Sequence, residues 1–259
     1  MDPGSKFTAQ EGKIIEPEAT TLEGLALTRA IKTDHGVQVL LRDVTVTLEP
    51  GRIVGVTGPS GSGKSTLLRV LLGLDLRSAG EIRFDGATVG DADWPTVRRA
   101  APMVRQDPGA PPTSAMDLLS DAMAWNASAP TGAGADAFRR HLHDLGLDAA
   151  HADRPGPELS GGESRRLRTA LAAALSPRFL VLDEPSAGLD AATSRRLASW
   201  LRVRADDGVG VLLASHDEAL LARCAHHLIV LYDGVMHAEG APAEIIPGAV
   251  AAAREEGGE

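Results

Sequence analysis

Gly58-Pro59-Ser60-Gly61-Ser62-Gly63-Lys64-Ser65-Thr66 fits the phosphate-binding pattern G-x-x-x-x-G-K-[ST]. It follows an apolar run, Arg52-Ile53-Val54-Gly55-Val56-Thr57, that reads as a buried strand, and it precedes a helical run, Leu67-Leu68-Arg69-Val70-Leu71-Leu72. That strand–loop–helix context gives the pattern a mechanism. Glycines let backbone N–H groups turn inward, and the new helix points its positive dipole end at the same spot. The stretch therefore implies a nucleoside-triphosphate cradle. In it Lys64 would reach the β- and γ-phosphates and the Ser65 hydroxyl would ligate Mg2+.

The rest of the composition narrows the class. At 259 residues the chain has room for one large domain, or for a domain with an inserted subdomain. With three Trp, one Tyr and four Phe, its core must be built mostly from Leu, Val, Ile and Ala. A net charge of -9 argues against a broad nucleic-acid-binding face, so no nucleic-acid partner is expected. Cys224 is the single cysteine, which rules out an intrachain disulfide and fits a reducing compartment. No stretch approaches the roughly 20 apolar residues that span a bilayer, and the N-terminus lacks a signal-peptide pattern. A cytoplasmic chain is the expectation.

Residues 1 to about 22 are polar and aperiodic, and they read as a disordered or tag-like terminus. From Leu25 to Leu48 the pattern is that of strands, with Val44-Thr45-Val46-Thr47-Leu48 alternating in period two. Glu81-Ile82-Arg83-Phe84 reads as another strand, ended by the turn Asp85-Gly86. Residues 107 to about 160 differ in composition and read as a helical insertion between flexible connectors. Beyond them strands and helices alternate through Phe179–Leu182, Ala191–Arg204, Gly210–Ala214, Asp217–Arg223 and Leu228–Leu231. That alternation predicts an α/β fold with a mostly parallel sheet covered by helices. Residues 249–259 read as a flexible tail.

Two further motifs carry chemistry. Phe179-Leu180-Val181-Leu182-Asp183-Glu184-Pro185 is an apolar strand ending in two carboxylates, and ligands bind at strand carboxyl ends in open α/β sheets. Asp183 would hold Mg2+, directly or through water, while Glu184 would face the γ-phosphate and orient the attacking water. Leu159-Ser160-Gly161-Gly162-Glu163 precedes a long helix read as Ser164 to Leu175. Ser160 would cap it, and the N–H groups of Gly161 and Gly162 form another anion site.

The phosphate loop, the carboxylate strand and the Leu159–Glu163 motif, in that order, resemble the ATP-binding cassette (ABC) ATPases from about Leu25 to Ile246. The resemblance implies a P-loop NTPase fold over residues 23–248, with an N-terminal antiparallel β subdomain and the helical insertion at about 107–160. It implies roles for single residues as well. Gln106 falls at the position that senses Mg2+ and the water. Asp190, in Ser186-Ala187-Gly188-Leu189-Asp190, would help to align the opposing site across a dimer. His216, in Ala214-Ser215-His216-Asp217, matches a switch histidine that contacts the γ-phosphate. Each site would combine Gly61, Gly63, Lys64 and Ser65 of one cassette with Ser160 and Gly162 of another, so a second cassette, identical or paralogous, is an implied partner.

His35 stands where the family places an adenine-stacking aromatic, and its smaller imidazole face implies modestly weak ATP affinity with little base selectivity. Glu163 stands where Gln is common, and Leu171 replaces an arginine often found on the same helix. The family resemblance further implies ATP hydrolysis driving transport through separate transmembrane permease subunits, with the cassette peripheral on the inner face of the membrane. Gln106-Asp107-Pro108 weakly resembles the peptide and nickel importers, which would add an extracytoplasmic binding protein. A soluble ABC ATPase acting on a cytosolic macromolecular complex is the alternative.

Overall fold

The computed structural model describes residues 20–34, 36–106, 113–125 and 134–246. The antiparallel strands β1 (Leu22–Thr33) and β2 (Gly36–Leu48) open it, and β3 (Ile53–Thr57) leads into the helix α1 (Lys64–Leu71). Next come β4 (Ala79–Phe84), β5 (Ala87–Thr88), α2 (Trp94–Ala100) and β6 (Met103–Val104). Helices α3 (Ala115–Trp125) and α4 (Ala135–Asp144), two 3-10 turns and α5 (Gly161–Ala174) follow. The chain then alternates through β7 (Phe179–Asp183), α6 (Ala191–Asp206), β8 (Gly210–Ala214), α7 (Glu218–Cys224) and β9 (His227–Tyr232), and ends with β10 (Val235–Gly240) and α8 (Pro242–Ile245).

The strands form two sheets, ordered β2-β1-β4-β5 and β10-β9-β3-β8-β7-β6. In the larger sheet the pairs from β9 to β6 are parallel, and the β9–β10 hairpin alone runs antiparallel. Every residue of β7 and β8 is buried, as expected of parallel strands covered on both faces. Their side chains divide by period two. Leu180, Leu182, Val211 and Leu213 pack with α5, α6 and the helical segment, whereas Phe179, Val181, Leu212 and Ala214 pack with α1 and the antiparallel sheet. The α/β class, the mostly parallel sheet and the N-terminal antiparallel sheet are thus those expected from the sequence.

Several element boundaries differ from expectation. Helix α5 starts at Gly161, three positions before Ser164, because a capping box initiates it. The Ser160 hydroxyl accepts from Glu163 N, and the Glu163 carboxylate accepts from Ser160 N. The poor helix propensity of two successive glycines hid this start. Strand β10 was not anticipated, although Asp233-Gly234 is a hairpin signal, with φ of 47° and 76° at its two residues. Strand β1 begins at Leu22, one residue inside the stretch read as a disordered terminus. The rest of that terminus, and the tail from 249, lie outside the described residues.

Helix α4 packs on α5, and its His141 lies edge-on to Trp200 of α6, with ring centroids 5.6 Å apart. Burial pushes the His141 imidazole down to about 4, and the nearby Arg204 acts in the same direction. Its Nδ1 is buried without a hydrogen-bond partner among the described residues. A histidine held below its unfolded value stabilises the fold above about pH 6.5, and that stabilisation is lost as pH falls toward 4. The melting temperature is therefore expected to drop between pH 6.5 and 4, and His141→Phe to flatten that drop. Thermal melts of both proteins across this range check it; identical slopes would remove His141 as the cause.

Candidate active site

The parallel strands β3, β7 and β8 bring their carboxyl ends to one edge of the sheet, and the predicted residues collect there. At the end of β3 the chain turns through Gly58 with φ 141°, and a Cβ on this residue would lie 2.0 Å from the Leu231 carbonyl oxygen of β9. No other residue fits so close an approach. A hydrogen bond from Gly234 N to the Ser62 carbonyl, 3.0 Å long, holds the far side of the loop. Lys64, the first residue of α1, is buried, and its Nζ donates to the Gly58 and Pro59 carbonyls at 2.8 and 3.0 Å. An ammonium has three donors, so one is left to turn toward the cleft. The loop amides and the N-terminus of α1 supply the rest of an electropositive cradle.

Next along the edge, the Ser65 hydroxyl donates to Asp183 Oδ1 at 2.9 Å. Burial pushes the Asp183 carboxyl up; the Ser65 hydrogen bond opposes this, and neighbouring Glu184 adds to it. Glu184 is buried and has φ 50°, in the left-handed region, where its N–H donates to the Ala214 carbonyl of β8 at 2.8 Å. This conformation stores roughly 1–3 kcal/mol of strain and is kept by the sheet around it. It aims the carboxylate at His216, whose Nδ1 is 2.8 Å from Glu184 Oε2 and whose backbone N–H donates to the same oxygen. The His216 side chain is 69% exposed. Asp217, which caps α7 and accepts from Ser194 Oγ, anchors the turn that carries it.

These groups surround one cleft of about 670 Å3, lined by the whole Gly58–Thr66 loop, Gln106, Glu184 and His216. Pro59, Ser60 and Gly61 lie at its open side, while Ser62, Lys64 and Thr66 are buried. Gln38 and Leu40 of β2 line it as well. Neither carries a local sequence signal for a ligand site, and His35, expected to stack on adenine, lies outside the described residues.

Ser160, Gly161, Gly162 and Asp190 do not line this cleft. They form a second cluster, where the start of α5 meets the turn before α6. A Cβ on Gly162 would lie 3.1 Å from Leu189 Cδ2. Asp190 caps α6, accepting from Thr193 N and Oγ1 at 2.8 and 3.0 Å, and these bonds hold its carboxyl below the usual range. Glu163 is held down to about 2, chiefly by the Ser160 backbone and side chain. Leu171 packs partly buried against the core. One chain thus carries a phosphate cradle and, away from it, a glycine-rich helix start.

The profile of the family described as ABC transporter matches residues 41–187, and the chain belongs to that family. It is 35% identical over 210 residues to the energy-coupling factor transporter ATP-binding protein EcfA2 of Symbiobacterium thermophilum, covering 79% of this chain and 72% of that one. It is 36% identical over 226 residues to a putative ABC transporter ATP-binding protein of Streptomyces avermitilis, spanning 86% of this chain but 39% of the length of that relative. Among solved structures, the dimeric cassette MJ0796 superposes with a TM-score of 0.76 at 25% identity, covering 85% of this chain and 98% of that one.

Asp183 yields a test of the electrostatics. Its carboxyl titrates above its unfolded value, so the native state holds the proton more tightly and stability declines as pH rises through the elevated native value. Asp183→Asn is expected to melt higher than wild type at pH 7.5, with the gap closing toward pH 4. Paired melts at the two pH values check this, and a lower-melting variant at pH 7.5 contradicts it.

Proposed function

We propose that the chain is the ATP-hydrolysing subunit of an ABC transporter, working as a head-to-tail pair of cassettes that drives translocation through separate membrane subunits. The observation that carries this reading is the division of the site. Lys64, Ser65, Gln106, Glu184 and His216 line one cleft, with Asp183 hydrogen-bonded to Ser65, while Ser160, Gly162 and Asp190 lie outside that lining. A second cassette, turned head to tail, would place its Ser160–Gly162 helix start over the open side of the cradle. The similar cassette MJ0796 is described as dimeric, which supports the pairing. Among the described residues no helix is long and apolar enough to cross a membrane, and the reading assigns the pore to other chains.

The residues also fit Mg2+. Ser65 Oγ and Asp183 Oδ1 are 2.9 Å apart, Gln106 lines the same cleft, and burial of Asp183 favours a cation partner. Among the described residues no three His, Cys, Asp or Glu side chains are placed to hold a metal ion by themselves, so phosphate oxygens and water would complete the shell. When bound, the ion would neutralise charge on the β- and γ-phosphates.

The chain's own groups would do the remaining work. Lys64 and the loop amides hold the phosphates, and the Ser160 and Gly162 end of the partner cassette adds donors at the γ-phosphate. The carboxylate of Glu184 accepts a hydrogen bond from the attacking water and sets it in line, with Gln106 on the other side. His216, held on Glu184, presents its ring at the cleft mouth, where the γ-phosphate would lie.

Glu184→Gln keeps the shape and removes the base. It is expected to lower Mg-ATP turnover by about 10²–10⁴-fold and to shift the chain to an ATP-dependent dimer in light scattering. Turnover within tenfold of wild type would remove Glu184 from the chemistry. A variant that binds ATP and stays monomeric at every concentration would remove the homodimer and leave a paralogous partner.

A further inference from the structure

Arg165, on the second turn of α5, has no part in the chemistry described above, yet it reaches two of the segments that do. Its Nε donates to the Gln106 carbonyl at 3.3 Å, and its Nη1 donates to the Ala187 carbonyl at 2.5 Å. The same Nη1 lies 3.8 Å from where a Cβ would stand on Gly161, and 3.8 Å from where one would stand on Gly188. One guanidinium on the helix that starts at Gly161 thus bonds both the Gln106 segment and the turn that ends in Asp190.

We propose that Arg165 is a positioning residue that locks these three segments into one unit, setting how Gln106 enters the cleft and how the Ser160–Gly162 face is presented to a second cassette. The inference rests on the two-cassette reading above and adds to it the group that aligns the two half-sites.

The chemistry favours arginine here. A planar fork with five N–H donors satisfies two carbonyls that face it from different segments, and a charged donor makes each bond stronger than a neutral one would. Gln106 lines the cleft while Arg165 holds its carbonyl, so the backbone that carries the amide is tethered to α5. Ala187 lies three residues before Asp190, the cap of α6, so the second bond fixes the turn that presents Asp190. Arg165 does not line the cleft of its own chain, so its effect on that cleft passes through these segments.

The neighbouring Arg166 has a different task. Its Nη1 donates to the Leu145 and Gly146 carbonyls at 2.9 and 3.2 Å, joining α5 to the end of α4. The two arginines therefore tie the same helix in opposite directions, Arg165 to the sheet edge and Arg166 to the helical layer.

The test uses the full chain carrying Arg165→Ala or Arg165→Lys, with two readouts. In amide exchange read by mass spectrometry, Arg165→Ala is expected to speed exchange across 103–106 and 187–190 and to leave β3 and α1 unchanged. Arg165→Lys, which keeps the charge without the fork, is expected to fall between alanine and wild type. In Mg-ATP turnover, Arg165→Ala should lower kcat roughly tenfold or more and leave KM within about twofold, the split expected of lost alignment rather than lost binding.

Unchanged exchange in both segments, or a KM rise with kcat intact, overturns the proposal. If the alanine variant does not fold, the lysine variant decides it on the same two segments. If the wild type itself turns over no ATP, the catalytic reading fails on its own account, and exchange still decides for or against Arg165.

Discussion

A carbonyl oxygen of β9 occupies the space that a side chain on residue 58 would need. The ideal Cβ of Gly58 falls 2.0 Å from the Leu231 oxygen, and that of Gly63 falls 2.8 Å from the Leu40 oxygen. The phosphate loop is therefore threaded between β2 on one side and the β9–β10 hairpin on the other. The hairpin tip also joins the two sheets, because Gly234 N donates to the Ser62 carbonyl while the Gly234 carbonyl accepts from Arg42 N of β2. Beside this approach Lys64 is buried against its own loop, and β2 brings Gln38 and Leu40 to the cleft. Here glycine is required because the backbone of one element stands where a side chain of another would go.

The second constraint is where the strands stop. Strands β7 and β8 are buried along their whole length, so their first polar residues emerge together at the carboxyl edge. Asp183 is the last residue of its strand and remains in the low-dielectric interior, which is why its proton is held more tightly than usual. Glu184, one residue on, escapes the strand only by adopting a left-handed backbone, and the bond to Ala214 keeps it there. Two adjacent carboxylates in strained or desolvated positions are a poor choice for stability alone. They make sense as groups whose partners arrive with a ligand.

How much of this was legible in the sequence depended on whether the signal was local. The phosphate loop, β7, β8 and the carboxylate pair lie in contiguous runs whose pattern is their function, and they were read to within a residue or two. The start of α5 was missed by three residues because glycine propensity argued against a helix that a capping box imposes. Strand β6 is two residues long, too short for periodicity to show, yet it positions Gln106. Gln38 and Leu40 reach the cleft through sheet pairing, and Arg165 reaches Gln106 across 59 positions of sequence. No local pattern encodes a contact of that kind.

The start of α5 also resolves an electrostatic conflict. The first N–H groups of a helix lack partners within it and attract anions, but here the first turn contains Glu163, whose negative charge would repel one. The structure disposes of that charge. One carboxylate oxygen of Glu163 accepts from Ser160 N at 2.8 Å, and the other lies 3.3 Å from His151 Nε2, whose Nδ1 is in turn 2.6 Å from Asp148. The Glu163 carboxylate is consumed by the cap and the imidazole, so it is turned back along the helix start rather than forward from it. Gly161 stays exposed beside Gly162, with no side chain to obstruct an approaching phosphate. A glutamate at this position is thus compatible with an anion-receiving helix end, provided His151 and the capping box hold it. The openness of this helix end then depends as much on that short polar chain as on the glycines themselves.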